Sequence, residues 1–353
     1  MPPGVAGELW AVHGGGFYHN QKYLVAPAEV PEELHWFKWE AYFTWISGFL
    51  LLATIYYIGP EIFLIDRAKA ALSAPQAIAL SLAFLVGGWV VYDGLCRSPI
   101  GKNASLFAIV WYVVLAAAAY ALTHIFSDRA AFLHVGAMIG TVMAANVFIV
   151  IIPNQRKITA AMIAHQPVDP RLGQLAKQRS LHNNYMTLPA VLMMIGGHYP
   201  MLFGSPLNWF LLSALGGVGL LVRHFFNRKN VGDTNYLWLA GATAVFVAAI
   251  FVAHDARPAT ETTAPVSFSE AHAIIEHHCV TCHSAHPTHA GVTAPPNGID
   301  FTQAGAMHLH GAQIEQQAVT TQTMPLGNET GMTQEERAKL GTWIAEGAHE
   351  DRP

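Results

Sequence analysis

Seven long apolar runs dominate the pattern of hydrophobic and polar positions along the chain. Each run carries few charges and approaches the ~20 residues that an α-helix needs to cross the hydrocarbon core of a bilayer. The fifth run is shorter and contains Pro189, so we expect a kinked helix there. The runs are residues 41–58, 74–92, 105–123, 130–152, 184–198, 206–222 and 236–253.

The pattern changes after the last run. Residues 255–266 are rich in proline, threonine and charge, which is typical of a linker. Residues 267–353 have the mixed polarity of a small soluble domain. We therefore predict a membrane part over residues 1–254, a linker over 255–266 and a separate domain over 267–353.

The composition supports a membrane protein. Only 12% of residues are charged, about half the usual share, and 52% are hydrophobic. The formal net charge of −4 lacks the basic surplus of a nucleic-acid binder, so the expected partner is the lipid bilayer and not nucleic acid. Three cysteines are too few for a disulfide scaffold, and Cys96 is expected to be a core or interfacial thiol. Buried helices of a large soluble protein are the disfavoured alternative.

The distribution of lysine and arginine sets the expected orientation. These residues concentrate in the loops that lie on the same side as the N-terminal segment. Because cytoplasmic loops carry the excess of positive charge, this side should be cytoplasmic. The domain over residues 267–353 should then lie on the opposite side of the membrane.

Cys279, Cys282 and His283 form a C-x-x-C-H motif, the attachment signature of c-type haem. Two thiols one turn apart can each bond a vinyl group, and the adjacent imidazole can then bind the iron. A chance redox C-x-x-C followed by histidine is the alternative. Because this haem is attached outside the bacterial cytoplasm, the motif agrees with the orientation and predicts a bacterial inner-membrane protein with a periplasmic cytochrome c domain.

Two amphipathic helices should enclose this haem. A Ser267–Glu270 capping box begins one before the motif, and a Thr333–Glu336 box begins the other near the C-terminus. The sixth iron ligand should be a thioether or imidazole on a later loop. Met324, which precedes a proline, is our choice. The competing candidates are Met307 and Met332.

Histidines lie at both ends of the predicted spans. Ionisable side chains within membrane segments are usually functional, so we treat these histidines as candidate site residues. Each single histidine is also explained as a residue at the membrane interface whose hydrogen bonds are satisfied. We consider a second membrane redox centre, a haem b or a metal, with His134 and His182 as leading ligands. The glycines after His13 resemble an esterase oxyanion hole, but the chain has no G-x-S-x-G.

Four stretches carry a family resemblance: HGGGFYHNQKY at 13–23, LHWFKWEAYFTW at 34–45, LHVGAMIGTVMAANVFIVIIPNQRKI at 133–158 and RSLHNNYMTLP at 179–189. They resemble the membrane-bound urate hydroxylases of the PuuD type. That family implies an additional hydrophobic helix before the first stretch, whereas this chain begins MPPGVAGELW. We therefore expect that helix to be missing upstream of Met1.

The resemblance implies an all-α fold, a polytopic bundle of about seven transmembrane helices followed by a small cytochrome c domain. It implies oxidation of urate with water to 5-hydroxyisourate in purine degradation. Electrons would pass to the covalent haem c, and then to a respiratory acceptor such as a terminal oxidase or soluble cytochrome. A histidine suits the base, and asparagine and tyrosine suit the purine edges. The expected catalytic residues are His13, His35, His182, Asn184 and Tyr185.

Two other functions stay open at this stage. One is an electron-transfer cytochrome c subunit that oxidises a quinol or a partner dehydrogenase. The other is a transporter with a redox sensor. Urate should reduce the haem in an enzyme, whereas only quinol should do so in an electron-transfer subunit.

Overall fold

A computed structural model describes residues 4–23, 33–67, 69–255, 265–302 and 304–349. The structure is mostly helical, as predicted, but the prediction of an all-α fold missed a β-hairpin near the N-terminus. The helices are α1 Trp39–Tyr56, α2 Pro60–Phe63, α3 Ala74–Arg97, α4 Ala104–Ile125, α5 Asp128–Ala145, α6 Ile152–Ile163, α7 Pro170–Gly196, α8 Pro200–Phe203, α9 Asn208–Lys229, α10 Leu237–Asp255, α11 Phe268–His278, α12 Ala304–Leu309, α13 Gly311–Ile314 and α14 Gln334–Ala345.

All seven predicted apolar runs fold as helices, but fewer qualify as spans. Within the described residues, four helices are long and apolar enough to cross a membrane: Ala74–Arg97, Ala104–Ile125, Asp128–Ile163 and Asn208–Lys229. Of the roughly seven transmembrane helices that we expected, four are therefore supported. Helix α1 begins with Glu40 among aromatic residues, and the first half of α7 is polar. These two helices therefore lack a continuous apolar stretch of spanning length.

The hairpin pairs β1, Val5–His13, with β2, Gly16–Tyr23. Gly14 and Gly15 form its two-residue loop, and both have positive φ. This conformation matches the twist of a two-residue hairpin loop, and glycine adopts it without a steric penalty. The HGGG segment is therefore a turn in the described structure.

The chain divides into two compact units. The first comprises Met1–Gly48 and Gly140–Met186, and the second comprises Phe49–Ile139 and Thr187–Pro353. The C-terminal segment thus groups with the helices of the second unit. Most of the predicted linker, residues 255–266, lies outside the described residues.

In the second unit, α9 packs against α4 and α10, and α3 packs against α4. Three connections meet at one end of these helices. Lys69 forms an ion pair with Asp128 and also donates to the Phe126 carbonyl at 3.3 Å. Asn208 donates to the same Asp128 carboxylate at 2.5 Å. One half-buried carboxylate therefore joins the connection before α3 to the first residues of α5 and α9.

The C-terminal segment has a core of its own. Helices α11 and α14 pack together, and both predicted capping boxes are confirmed. Ile275, Met307, Leu340 and Trp343 are almost completely buried in this core. His278 joins the two helices through the Glu336 carboxylate at 3.2 Å.

Candidate functional site

A buried polar cluster lies in the first unit, where the long apolar helix that begins with α5 widens into a π-helical segment. This segment spans Asn146–Ile151 and connects α5 to α6. Asn146 is fully buried, and its Nδ2 donates to Asn183 Oδ1 at 2.8 Å. Asn183 Nδ2 in turn donates to the Met143 carbonyl at 2.9 Å. Single-turn π-helical segments frequently occur at functional sites, because they re-aim side chains within a helix.

Arg179 adds a positive charge to these amides. Its side chain is on α7, the residue is only 2% exposed, and Nη1 donates to Asn146 Oδ1 at 3.4 Å. A buried guanidinium is costly to desolvate, so its contacts are expected to be specific. Guanidinium donors suit a planar anion, and amides supply both a donor and an acceptor. Together, Arg179, Asn146 and Asn183 can recognise a flat, polar anion; this trio is called the amide–arginine cluster below.

Three of the predicted catalytic residues adjoin this cluster in the chain. His182, Asn184 and Tyr185 are on α7 beside Asn183, and all three are half-buried. His182 follows Arg179 by about one helical turn, so both residues share one side of α7. These three predicted residues therefore flank Asn183 of the cluster in the chain, and their catalytic role stays a prediction.

The other two predicted catalytic residues are placed differently. His35 contacts Glu40 at 3.7 Å, and its ring packs edge-on against Phe37 at 4.5 Å. His13 ends β1, and its side chain lies outside the described residues. The structure does not bring His35 into the amide–arginine cluster.

Sequence reasoning missed Arg179 as a site residue and counted it only as a loop charge. The signal was its spacing, because Arg179 and Asn183 are four positions apart and so share a helix face. Asn146 was visible as a polar residue within an apolar run. Its hydrogen bonds to Asn183 and Arg179 on α7 had no local signal in the sequence, because α7 begins more than twenty residues later.

His134 lies in the second unit and is fully buried. Its Nδ1 is 2.7 Å from the Ala130 carbonyl, which can only accept, so Nδ1 carries the proton. In the neutral ring, Nε2 then accepts from Ser81 Oγ at 2.7 Å, and Ser81 accepts from the Tyr57 hydroxyl at 2.8 Å. Both nitrogens are engaged with protein atoms. The metal-binding role of His134 stays a prediction, and a metal at this ring would have to replace one of these hydrogen bonds.

The C-x-x-C-H motif forms a tight turn directly after α11. The amides of Cys282 and His283 donate to the Cys279 carbonyl at 3.1 and 2.8 Å. Neither Cys279 nor Cys282 is in a disulfide. Burial raises the pKa of the Cys279 thiol to about 12, so it is held as a neutral thiol. The motif therefore presents two thiols on one turn, as covalent attachment to a porphyrin requires.

His283 is oriented by the loop that follows the motif. Its Nδ1 is 3.3 Å from the Ile299 carbonyl, and its own carbonyl accepts from the Phe301 amide at 2.9 Å. Since Nδ1 donates to a carbonyl, Nε2 keeps its lone pair for a metal. Burial also lowers the pKa of His283, which favours the neutral ring that ligates iron. This donor set fits a c-type haem.

The three candidate methionines differ in burial. Met307 and Met332 are packed in the core of the C-terminal segment, with exposed fractions of 0% and 3%. Met324 is only partly buried and lies in the loop between the π-helical segment Glu315–Thr320 and α14. A loop thioether outside the packed core is the better suited of the three to bind an added group.

The described residues define a mainly helical protein with apolar helices long enough to cross a membrane. Residues 1–254 match the family described as Urate oxidase N-terminal, and the chain belongs to that family. Membership identifies it as an oxidoreductase related to urate oxidation. No curated protein and no solved structure matches the chain.

Proposed function

We propose that the chain is a membrane-bound urate oxidase that converts urate and water into 5-hydroxyisourate, two electrons and two protons, as a step in purine degradation. The observation that carries this proposal is the family match over residues 1–254 together with the amide–arginine cluster inside that region. Urate is a flat anion with ring N–H donors and carbonyl acceptors. The cluster offers a buried cation and two amides, which are complementary to that edge pattern.

Each residue near the cluster has a role in this proposal. Arg179 holds the urate anion, and Asn146 and Asn183 fix the orientation of the ring. His182 accepts a ring proton as electrons leave, because imidazole exchanges protons readily near neutral pH. Asn184 and Tyr185 contact the remaining purine edge. A water molecule supplies the oxygen that bonds to C5, and its proton is the second one released.

The electrons need an acceptor, and the C-terminal segment offers the residues to hold one. Cys279 and Cys282 would hold a haem c through two thioether bonds, and His283 and Met324 would bind its iron. Such a haem would supply a one-electron acceptor. The chain would lie in the bacterial inner membrane with this segment in the periplasm, facing a terminal oxidase or soluble cytochrome. The four apolar helices and the distribution of lysine and arginine support this placement.

The test is urate-dependent reduction of haem in isolated membranes that contain the whole chain, with oxygen excluded. Urate should produce the α band of reduced haem c. A matched membrane in which Cys279 and Cys282 are both replaced by alanine should not, because no thioether bond can then hold the haem. Reduction by a quinol but never by urate would contradict the proposal and favour the electron-transfer subunit. Urate uptake without haem reduction would favour a transporter.

A further inference from the structure

The loop that contains Met324 is fixed from within the C-terminal segment. We call residues 321–328 the methionine loop. The buried Arg337 donates through Nη1 to the Met324 carbonyl at 2.7 Å and through Nη2 to Asn328 Oδ1 at 3.1 Å. Arg337 also donates to the Ala318 carbonyl just before the loop. One guanidinium thus ties both halves of the loop to α14.

The opposite side of the same loop meets the connection between α1 and α3. A Cβ added at Gly327 would lie 3.2–3.3 Å from the carbonyl oxygens of Glu61, Ile62 and Ile65. Gly327 also has a φ of +58°, a conformation that glycine adopts most easily. We call residues 61–65 the platform. The loop backbone therefore contacts the platform backbone, with no room for a side chain between them.

A second close approach lies at the other end of the methionine loop. A Cβ added at Gly204, which follows α8, would lie 2.4 Å from the Thr321 carbonyl oxygen. Thr321 and Gly327 flank Met324 in the chain. The helical part of the second unit therefore contacts the loop on both sides of its methionine.

The platform is itself held firmly to the helices. Ser127 donates from its amide to the Leu64 carbonyl at 3.0 Å and from its hydroxyl to the Phe63 carbonyl at 2.6 Å. Ile65 forms an isolated bridge with Phe126, whose ring is 5.3 Å from that of His134. Contacts therefore run without a break from the methionine loop to the helix interior.

Charge complements this contact. Burial lowers the pKa of Arg337 to about 10, and the Asp66 carboxylate beside the platform opposes that shift by attraction. Arg337 stays positively charged at neutral pH. The Arg337 cation behind the loop and the Asp66 anion next to the platform therefore attract each other.

We infer that the methionine loop is the surface by which the C-terminal segment docks on the helices, and that electrons leaving those helices enter the segment there. The docking stands on the contacts alone, whereas electron entry rests on the proposed function. Urate is the species oxidised, and the c-type haem proposed for this segment is the species reduced.

The docking is tested by amide hydrogen exchange on the whole protein. Gly327→Val should push the loop off the platform. Gly331→Val is its matched control, because Gly331 also has positive φ but a Cβ there meets nothing within 4 Å. Exchange of residues 57–66 should accelerate about tenfold in Gly327→Val relative to Gly331→Val, since contact loss lowers the local opening free energy. Equal exchange in the two variants would overturn the docking.

A second pair of variants changes only the helical side. Gly204→Ala places a Cβ against Thr321, whereas Gly197→Ala meets only ordinary contacts at 3.6 Å and beyond. Gly204→Ala should accelerate exchange of residues 321–328 and leave α11 and α14 unchanged. This pair keeps the docking testable if Gly327→Val unfolds the segment, and unchanged exchange of the methionine loop in Gly204→Ala would again overturn it.

Electron entry is tested on the same variants by comparing two reductants. Haem reduction by urate should slow in Gly327→Val and Gly204→Ala, while reduction by ascorbate from solution should match the controls. Equal urate-driven rates in undocked and control proteins would overturn electron entry at this loop. Absence of urate-driven reduction even in the unchanged protein would refute the proposed function, and hydrogen exchange would still decide the docking.

Discussion

Replacement of Arg179 by glutamine should selectively weaken the recognition of urate. The guanidinium is buried and donates to Asn146, so it can form charge-assisted hydrogen bonds to an anion away from water. A hydrogen bond to a charged group contributes about 1.5–3 kcal/mol, which corresponds to a loss of about 10- to 150-fold in kcat/KM. Arg179→Lys keeps the charge but loses the planar fork, so its loss should be smaller.

The assay is the disappearance of urate absorbance in membranes with equal amounts of the protein. Arg171→Gln is the matched control, because Arg171 is exposed on the same helix and should tolerate the change. Amide exchange of the first unit shows whether each variant is folded. A folded Arg179→Gln protein with an unchanged kcat/KM for urate would refute the assignment of the amide–arginine cluster as the purine site.

Three further sets of changes test the C-terminal segment. Replacing Cys279 and Cys282 together by alanine should abolish haem staining on a denaturing gel, and retained staining would contradict the attachment. Met324→Ala should keep covalent haem but lower its midpoint potential, because a thioether favours ferrous iron. Hydrogen bonds from the Thr333 amide and hydroxyl, and from His278, lower the pKa of Glu336 from 4.5 to about 2. The ionised carboxylate therefore stabilises the fold above pH 4.5, and this contribution is lost as the pH falls toward 2. Glu336→Gln should therefore speed amide exchange of α14 at neutral pH but not near pH 2, and a difference that persists at the lower pH would contradict this reasoning.

The features that sequence predicted well are local. The capping boxes at Ser267 and Thr333 depend on residues three positions apart, and both form as expected. Every apolar run forms a helix. A helix satisfies the backbone hydrogen bonds of a long apolar segment within the segment itself. The hairpin also had a local signal, because two glycines lie between segments rich in β-forming residues.

The features that sequence could not predict join distant parts of the chain. Arg179 and Asn146 are 33 residues apart on different helices, and no periodicity specifies their meeting. The π-helical segment at Asn146 has no composition of its own. The sequence did not indicate that Gly327 packs against the platform, because a close approach of two backbones depends on tertiary structure. For the same reason, the hydrogen bonds that occupy both nitrogens of His134 were invisible.

The most direct test of the central claim is a stoichiometry measured on the whole protein with its haem attached. Urate is added in limited amount without oxygen, and 5-hydroxyisourate and reduced haem c are both counted. The proposed reaction releases two electrons per urate, so two haems should be reduced for each urate consumed, and no peroxide should form when oxygen is readmitted with a respiratory acceptor. Urate oxidation that requires oxygen, produces equimolar peroxide and leaves the haem oxidised would contradict the account.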